Sequence, residues 1–180
     1  MIIESITLKN FRQFKGEHQI IFSADSMANV TVVMGENGAG KTTVEQAFTW
    51  CLYGKNTFSD KELLNREVRN AMPIDDSVKV EAVLKVRNNN QRYKISRRQI
   101  VTKKSGVKCT ISEDFIIEVQ NQNGEWEKMQ KLIQARAIVE EMLSQNLSDF
   151  FFFDGERIAA MSKDLLQKGA VMSSRMQLEP

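Results

Sequence analysis

Eight consecutive residues, Gly35-Glu36-Asn37-Gly38-Ala39-Gly40-Lys41-Thr42, have types and spacing suited to phosphate chemistry. They satisfy the pattern G-x-x-x-x-G-K-[ST], which has physical meaning where a strand leads in and a helix leads out. Glycines at 35, 38 and 40 let the backbone turn tightly and bring its N–H groups against phosphate oxygens. A helix starting at Lys41 would aim its positive end at the same point. Lys41, the one residue here assigned a catalytic role, would carry a mobile positive charge to the β- and γ-phosphates, and the Thr42 hydroxyl suits magnesium. Thr43 adds a further phosphate contact. The expected ligands are therefore ATP or a close relative, with Mg2+.

Two other groups of residues suggest chemistry. In Phe150-Phe151-Phe152-Phe153-Asp154-Gly155-Glu156-Arg157 the four phenylalanines read as a buried strand, and Asp-Gly reads as a sharp turn. A carboxylate there can reach a magnesium ion held on a neighbouring loop, or Asp154 can instead cap the next helix. Between Glu81 and Glu113 there is no acidic residue, while Lys85, Arg87, Arg92, Lys94, Arg97, Arg98, Lys103, Lys104 and Lys108 are basic. Such a hairpin can track a nucleic-acid backbone, with Arg97, Arg98, Lys103 and Lys104 as the DNA contacts. It can equally be a lysine-rich strand edge that blocks edge pairing. Both readings stand.

The elements that must position these groups follow from hydrophobic period. Ile3, Ile6 and Leu8 mark a first strand ending at Asn10, with Gln19 to Phe22 as its antiparallel partner. Val30 to Met34 is short, apolar and β-branched, the pattern of a strand covered on both faces at the centre of a sheet. Lys41 to Tyr53 has helical spacing and Gly54 as its stop. Ser77 to Arg87 alternates as a half-buried strand, Asn88 to Asn90 turns, Gln91 to Thr102 returns, and Phe115 to Val119 adds another strand. Residues 77–120 thus form an antiparallel meander, and Met129 to Leu143 is a helix with Leu132, Ile133, Val139, Met142 and Leu143 on its apolar side.

The chain has 180 residues, a formal net charge of +2 and 42% hydrophobic content, enough for one real core. Its two cysteines, Cys51 and Cys109, are far apart and lack partners at metal-ligand spacing, which argues against a disulfide framework or a zinc site and fits a reducing cytoplasm. No signal peptide or membrane-length apolar run is visible. The expected organisation is one domain over 1–166 and a tail over 167–180 that reads as frayed or as the scar of a truncation.

The opening Ile6-Thr7-Leu8-Lys9-Asn10-Phe11-Arg12-Gln13-Phe14, the run Val30 to Met34, the loop at 35–42 and the helix ending Leu52-Tyr53-Gly54-Lys55 resemble the N-terminal lobe of ABC-type ATPase heads. These heads belong to SMC, RecF and RecN proteins and the double-strand-break-repair ATPase. Leu63-Leu64-Asn65-Arg66-Glu67 is also similar to that repair ATPase. Phe151 to Ile158 resembles the DndD-type ATPases linked to DNA phosphorothioation and phage defence. The resemblance covers about 1–160. It implies an α/β fold of the P-loop NTPase class with an antiparallel meander, the N-terminal half of a head. It also implies that Arg12 approaches the nucleotide phosphates and that Asn37 lies beside the γ-phosphate. Asp154 falls at the magnesium-sensing Q-loop position, in the turn 153–156, where most heads have glutamine.

Family heads are completed by a C-terminal lobe with a Leu-Ser-Gly-Gly signature, an apolar strand ending in Asp-Glu and a switch histidine. None of these occurs in the 180 residues, where the sole histidine is His18. The resemblance therefore implies an ATPase only when a C-terminal lobe and a second head are supplied, with DNA and a nuclease or other defence effector as further partners. A nucleotide-binding sensor without turnover is the alternative. An independent kinase or GTPase fits less well, lacking a lid-like arginine segment and an Asn-Lys-x-Asp motif.

Overall fold

The computed structural model describes residues 1–25, 27, 29–105 and 109–151. The turn at 153–156 with Asp154 and the tail at 167–180 lie outside them.

Strand β1 (Ile2–Phe11) pairs antiparallel with β2 (Phe14–Ile21) on one side and β3 (Ser77–Asn88) on the other. The sheet then continues through β4 (Gln91–Thr102), β5 (Thr110–Gln120) and β6 (Trp126–Lys128), giving the order β2-β1-β3-β4-β5-β6 with antiparallel pairing throughout. Alternation explains the long β3–β4 hairpin: Val80, Ala82, Leu84 and Val86 point inward, and charged neighbours point out. Asn89 and Asn90, at φ 48° and 64°, make its turn with two left-handed residues, a conformation asparagine tolerates.

Helix α1 (Lys41–Tyr53) lies on the inner face of this sheet. Val44, Ala47, Phe48, Trp50, Cys51 and Leu52 are buried there with Ile6, Leu8, Phe11, Ile95 and Ile117. Phe11 and Trp50 stack at 5.3 Å between centroids, and Phe22 meets Phe48 at 5.8 Å. Burial pushes the Cys51 thiol up to about 12, so it stays neutral, and its Sγ donates to the carbonyls of Ala82 and Ile95 at 3.4 and 3.5 Å. The helix stops at Gly54, whose φ of 72° is left-handed and whose N–H returns to the Trp50 carbonyl at 2.8 Å.

Helix α2 (Arg66–Ala71) buries none of its residues, and Asn65 caps it by accepting from the Val68 N–H. Helix α3 (Leu132–Met142) is shorter than its sequence pattern predicts. Only Ala135 and Val139 are buried on it, while Leu132 and Ile133 are exposed. The 3-10 turn Gln145–Leu147 leads into α4 (Ser148–Phe151), so the first two phenylalanines of the expected buried strand are helical, and Phe151 is 63% exposed. Among the described residues no helix is long and apolar enough to cross a membrane.

The largest departure from expectation is the run before the glycine-rich loop. Val30 to Met34 forms no strand, and Val30, Val32, Val33 and Met34 are 78%, 71%, 44% and 88% exposed. An apolar β-branched run becomes a central strand only where neighbours cover it on both faces. The antiparallel sheet fills its own order without it, and no described strand pairs with 30–34.

Candidate phosphate-binding site

The loop itself forms as its residue types dictate. Gly38 and Gly40 sit at φ 84° and 104°, where a side chain is strained, and Ala39 N–H closes a turn on the Glu36 carbonyl at 3.1 Å. Gly40 is constrained twice, since a Cβ on it would lie 2.6 Å from Gln13 Nε2 and 3.0 Å from Phe14 Cζ. It is also the N-cap of α1, with no side-chain cap and no acid in the first turn, and the first helix bond runs from Val44 N–H to its carbonyl at 2.9 Å. The leading N–H groups of a helix have no intrahelical acceptor, so this terminus presents donors and the positive end of a dipole.

Lys41 folds back over the loop, its Nζ donating to the carbonyls of Gly35 at 2.5 Å and Glu36 at 2.8 Å. Asn37, Ala39 and Thr42 are exposed around it. Thr43 is buried and donates its hydroxyl to Gln13 Oε1 at 2.9 Å. Gln13, in the β1–β2 turn, is a contact that sequence reading misses. Thirty positions separate it from Thr43, and no local period signals a tertiary contact of that kind.

Arg12 is engaged in a clamp with residues after α1. Its Nη1 donates to Asp60 Oδ1 and to the Glu62 carbonyl, both at 2.6 Å, and its guanidinium lies 4.3 Å from the centre of the Phe58 ring. Its backbone is fixed as well: Arg12 N–H donates to the Leu63 carbonyl at 2.7 Å, and Asn65 Nδ2 donates to the Arg12 carbonyl at 2.6 Å. These bonds offset the cost of a left-handed arginine at φ 53°. Burial opposes charge on Asp60, yet the Glu62 backbone N–H and the Arg12 and Arg66 guanidiniums hold its carboxyl below the usual range. A cleft of about 380 Å3 opens beside this clamp, lined by Arg12, Gln13, Leu64, Asn65, Arg66 and Glu67.

The four expected DNA contacts do not share a surface. Arg97 is 6% exposed and fully engaged in the interior: Nε donates to the Cys51 carbonyl at 3.1 Å, Nη2 to that of Leu52 at 3.4 Å and Nη1 to Glu113 at 2.8 Å, over the Phe115 ring at 4.6 Å. Adjacent strand residues face opposite sides, so Arg98 points outward and pairs with Asp114 at 3.0 Å. Lys103 donates to the Met72 carbonyl at 2.7 Å, and Lys104 pairs with Asp75 at 3.0 Å. The run that is uniformly basic in sequence is thus largely balanced in space, by Glu4 of β1, by Glu113, Asp114 and Glu118 of β5 and by Asp75. Among the described residues no cluster of three or more His, Cys, Asp or Glu could hold a metal by itself.

A family model described as an AAA domain matches residues 5–178. The chain is 35% identical over 69 residues to the DNA replication and repair protein RecF of Clostridium beijerinckii, covering 37% of this chain and 17% of that protein. It is 37% identical over 93 residues to structural maintenance of chromosomes protein 6 of Dictyostelium discoideum, covering 50% and 7%. With the SbcC component of the nuclease SbcCD of Staphylococcus aureus it shares 25% identity over 146 residues, covering 81% and 14%. The matched stretch is thus a minor part of each of these relatives.

Proposed function

This chain belongs to the AAA-domain family, and from that premise we propose that it is the Mg-ATP-binding N-terminal lobe of an SMC-like, DNA-associated ATPase whose hydrolysis needs a C-terminal lobe and a second head. The reading rests on one juxtaposition. A formed phosphate-type loop, with left-handed glycines, an uncapped helix start and Lys41, is led into by Val30 to Met34, apolar yet exposed. That run has the composition of a strand in need of neighbours, and a C-terminal lobe is the natural source of them. The relatives named for replication and repair, chromosome maintenance and nuclease function support DNA as the setting.

In this reading the backbone N–H groups from Gly38 to Thr43 bind the phosphates, and Lys41 exchanges the Gly35 and Glu36 carbonyls for phosphate oxygens. The exposed Thr42 hydroxyl is a hard oxygen donor of the kind magnesium takes, with Asp154 as its second protein ligand. Magnesium would neutralise charge between the β- and γ-phosphates. Arg12 reaches the phosphates once freed from Asp60. The resemblance of Phe151 to Ile158 to the DndD-type ATPases supports anti-phage defence as the alternative to DNA repair, with a nuclease or other effector as partner, and a cytoplasmic setting fits either. Addition of a C-terminal lobe carrying the signature loop and an Asp-Glu strand is expected to raise ATP turnover from background by at least about 100-fold, since the water-positioning and charge-stabilising groups arrive with it. Retained ATP binding with no turnover in the completed protein would instead identify a sensor.

A further inference from the structure

We propose that Gln13 is a positioning residue of the triphosphate site, one whose carboxamide both anchors Thr43 and adds an N–H donor at the start of α1. The inference rests on the proposed nucleotide reading and extends it to a residue outside the loop motif.

The geometry is specific. Gln13 Oε1 accepts from the buried Thr43 hydroxyl at 2.9 Å, which leaves the other end of the amide, Nε2, turned to Gly40. Nε2 stands so close that a Cβ on Gly40 would lie 2.6 Å from it, and the Phe14 ring supports the same spot at 3.0 Å. A neutral N–H donor therefore lies against the N-cap glycine, where the backbone donors of α1 emerge without a side-chain cap. The turn carrying it is rigid, because Arg12, its neighbour, is tied through backbone and side chain to Leu63, Asn65, Asp60 and Glu62. A donor held in place before the ligand arrives adds affinity with little ordering cost.

Two substitutions separate the functions of the amide. Gln13→Glu keeps an oxygen for Thr43 but replaces the donor with a negative charge facing phosphate, whereas Gln13→Ala removes both ends. Mg-ATP titrations of the full chain by calorimetry are expected to show a dissociation constant raised about 30-fold for Gln13→Glu and about 5-fold for Gln13→Ala. The Gln13→Glu penalty relative to wild type should shrink at high ionic strength, and the melting temperature of unliganded Gln13→Glu should match wild type, because the Thr43 hydroxyl keeps its acceptor, whereas Gln13→Ala should melt a few degrees lower. Gln13 is exposed, so Gln13→Glu, which keeps the oxygen that Thr43 needs, leaves the interior intact and carries the test. Wild-type affinity in Gln13→Glu, or a penalty that is independent of salt and accompanied by a lower melting temperature, overturns the proposal. With Lys41→Ala as a control, failure of the wild-type chain itself to bind Mg-ATP overturns the nucleotide reading and this inference with it.

Discussion

Replacing Lys41 with alanine is expected to weaken Mg-ATP binding by at least about 100-fold while leaving the melting temperature of the free protein nearly unchanged. The first half follows from the charge. An ammonium that trades two backbone carbonyls for phosphate oxygens makes charge-assisted hydrogen bonds worth roughly 1.5–3 kcal/mol each, and two of them amount to about two orders of magnitude in affinity. The second half follows from exposure, since Lys41 and the carbonyls it answers at Gly35 and Glu36 all lie at the surface, where water replaces the lost donor. Titration calorimetry and thermal melting of the same sample test both halves. A loss of affinity under about 3-fold would mean that the ligand sits elsewhere.

Arg97→Met should do the reverse, lowering stability by about 3 kcal/mol, or roughly 10 °C in melting temperature for a chain of this size. The guanidinium bonds the carbonyls of Cys51 and Leu52 in the last turn of α1, where a positive charge also suits the negative end of the helix dipole. It carries that attachment across to Glu113 on β5 and rests on Phe115. Methionine fills similar volume but leaves two buried carbonyls without their donor. Arg98→Met, on the outer face with an exposed partner, should cost less than about 1 kcal/mol. Equal melting temperatures for the two variants would mean that Arg97 does not hold α1 to the sheet.

The contrast between Arg97 and its neighbour illustrates what sequence patterns carry. Alternation in β3, the asparagine turn after it with its returning strand, and the helix from Lys41 to its glycine stop were all legible because each depends on residues close in the chain. The basic run from Lys85 to Lys104 was legible as charge but not as surface, because the acids balancing it, Glu113, Asp114 and Glu118, arrive from another strand. Gln13 and Asp60 were missed for the same reason. Helix α2 left no apolar period to read, since none of its six residues is buried. The run Val30 to Met34 has the pattern of a covered strand, but a pattern specifies only the neighbours a segment needs, and the described residues do not provide them.

The most direct test of nucleotide binding at Gly35 to Thr42 is backbone hydrogen exchange with and without Mg-ATP. Phosphate oxygens bonded to loop and helix-start donors should slow exchange at the amides of Gly38 to Val44 by at least about 10-fold and leave the β3–β4 hairpin unchanged. Protection confined to the hairpin or the cleft beside Arg66, with the loop amides exchanging as in the free protein, would contradict the account.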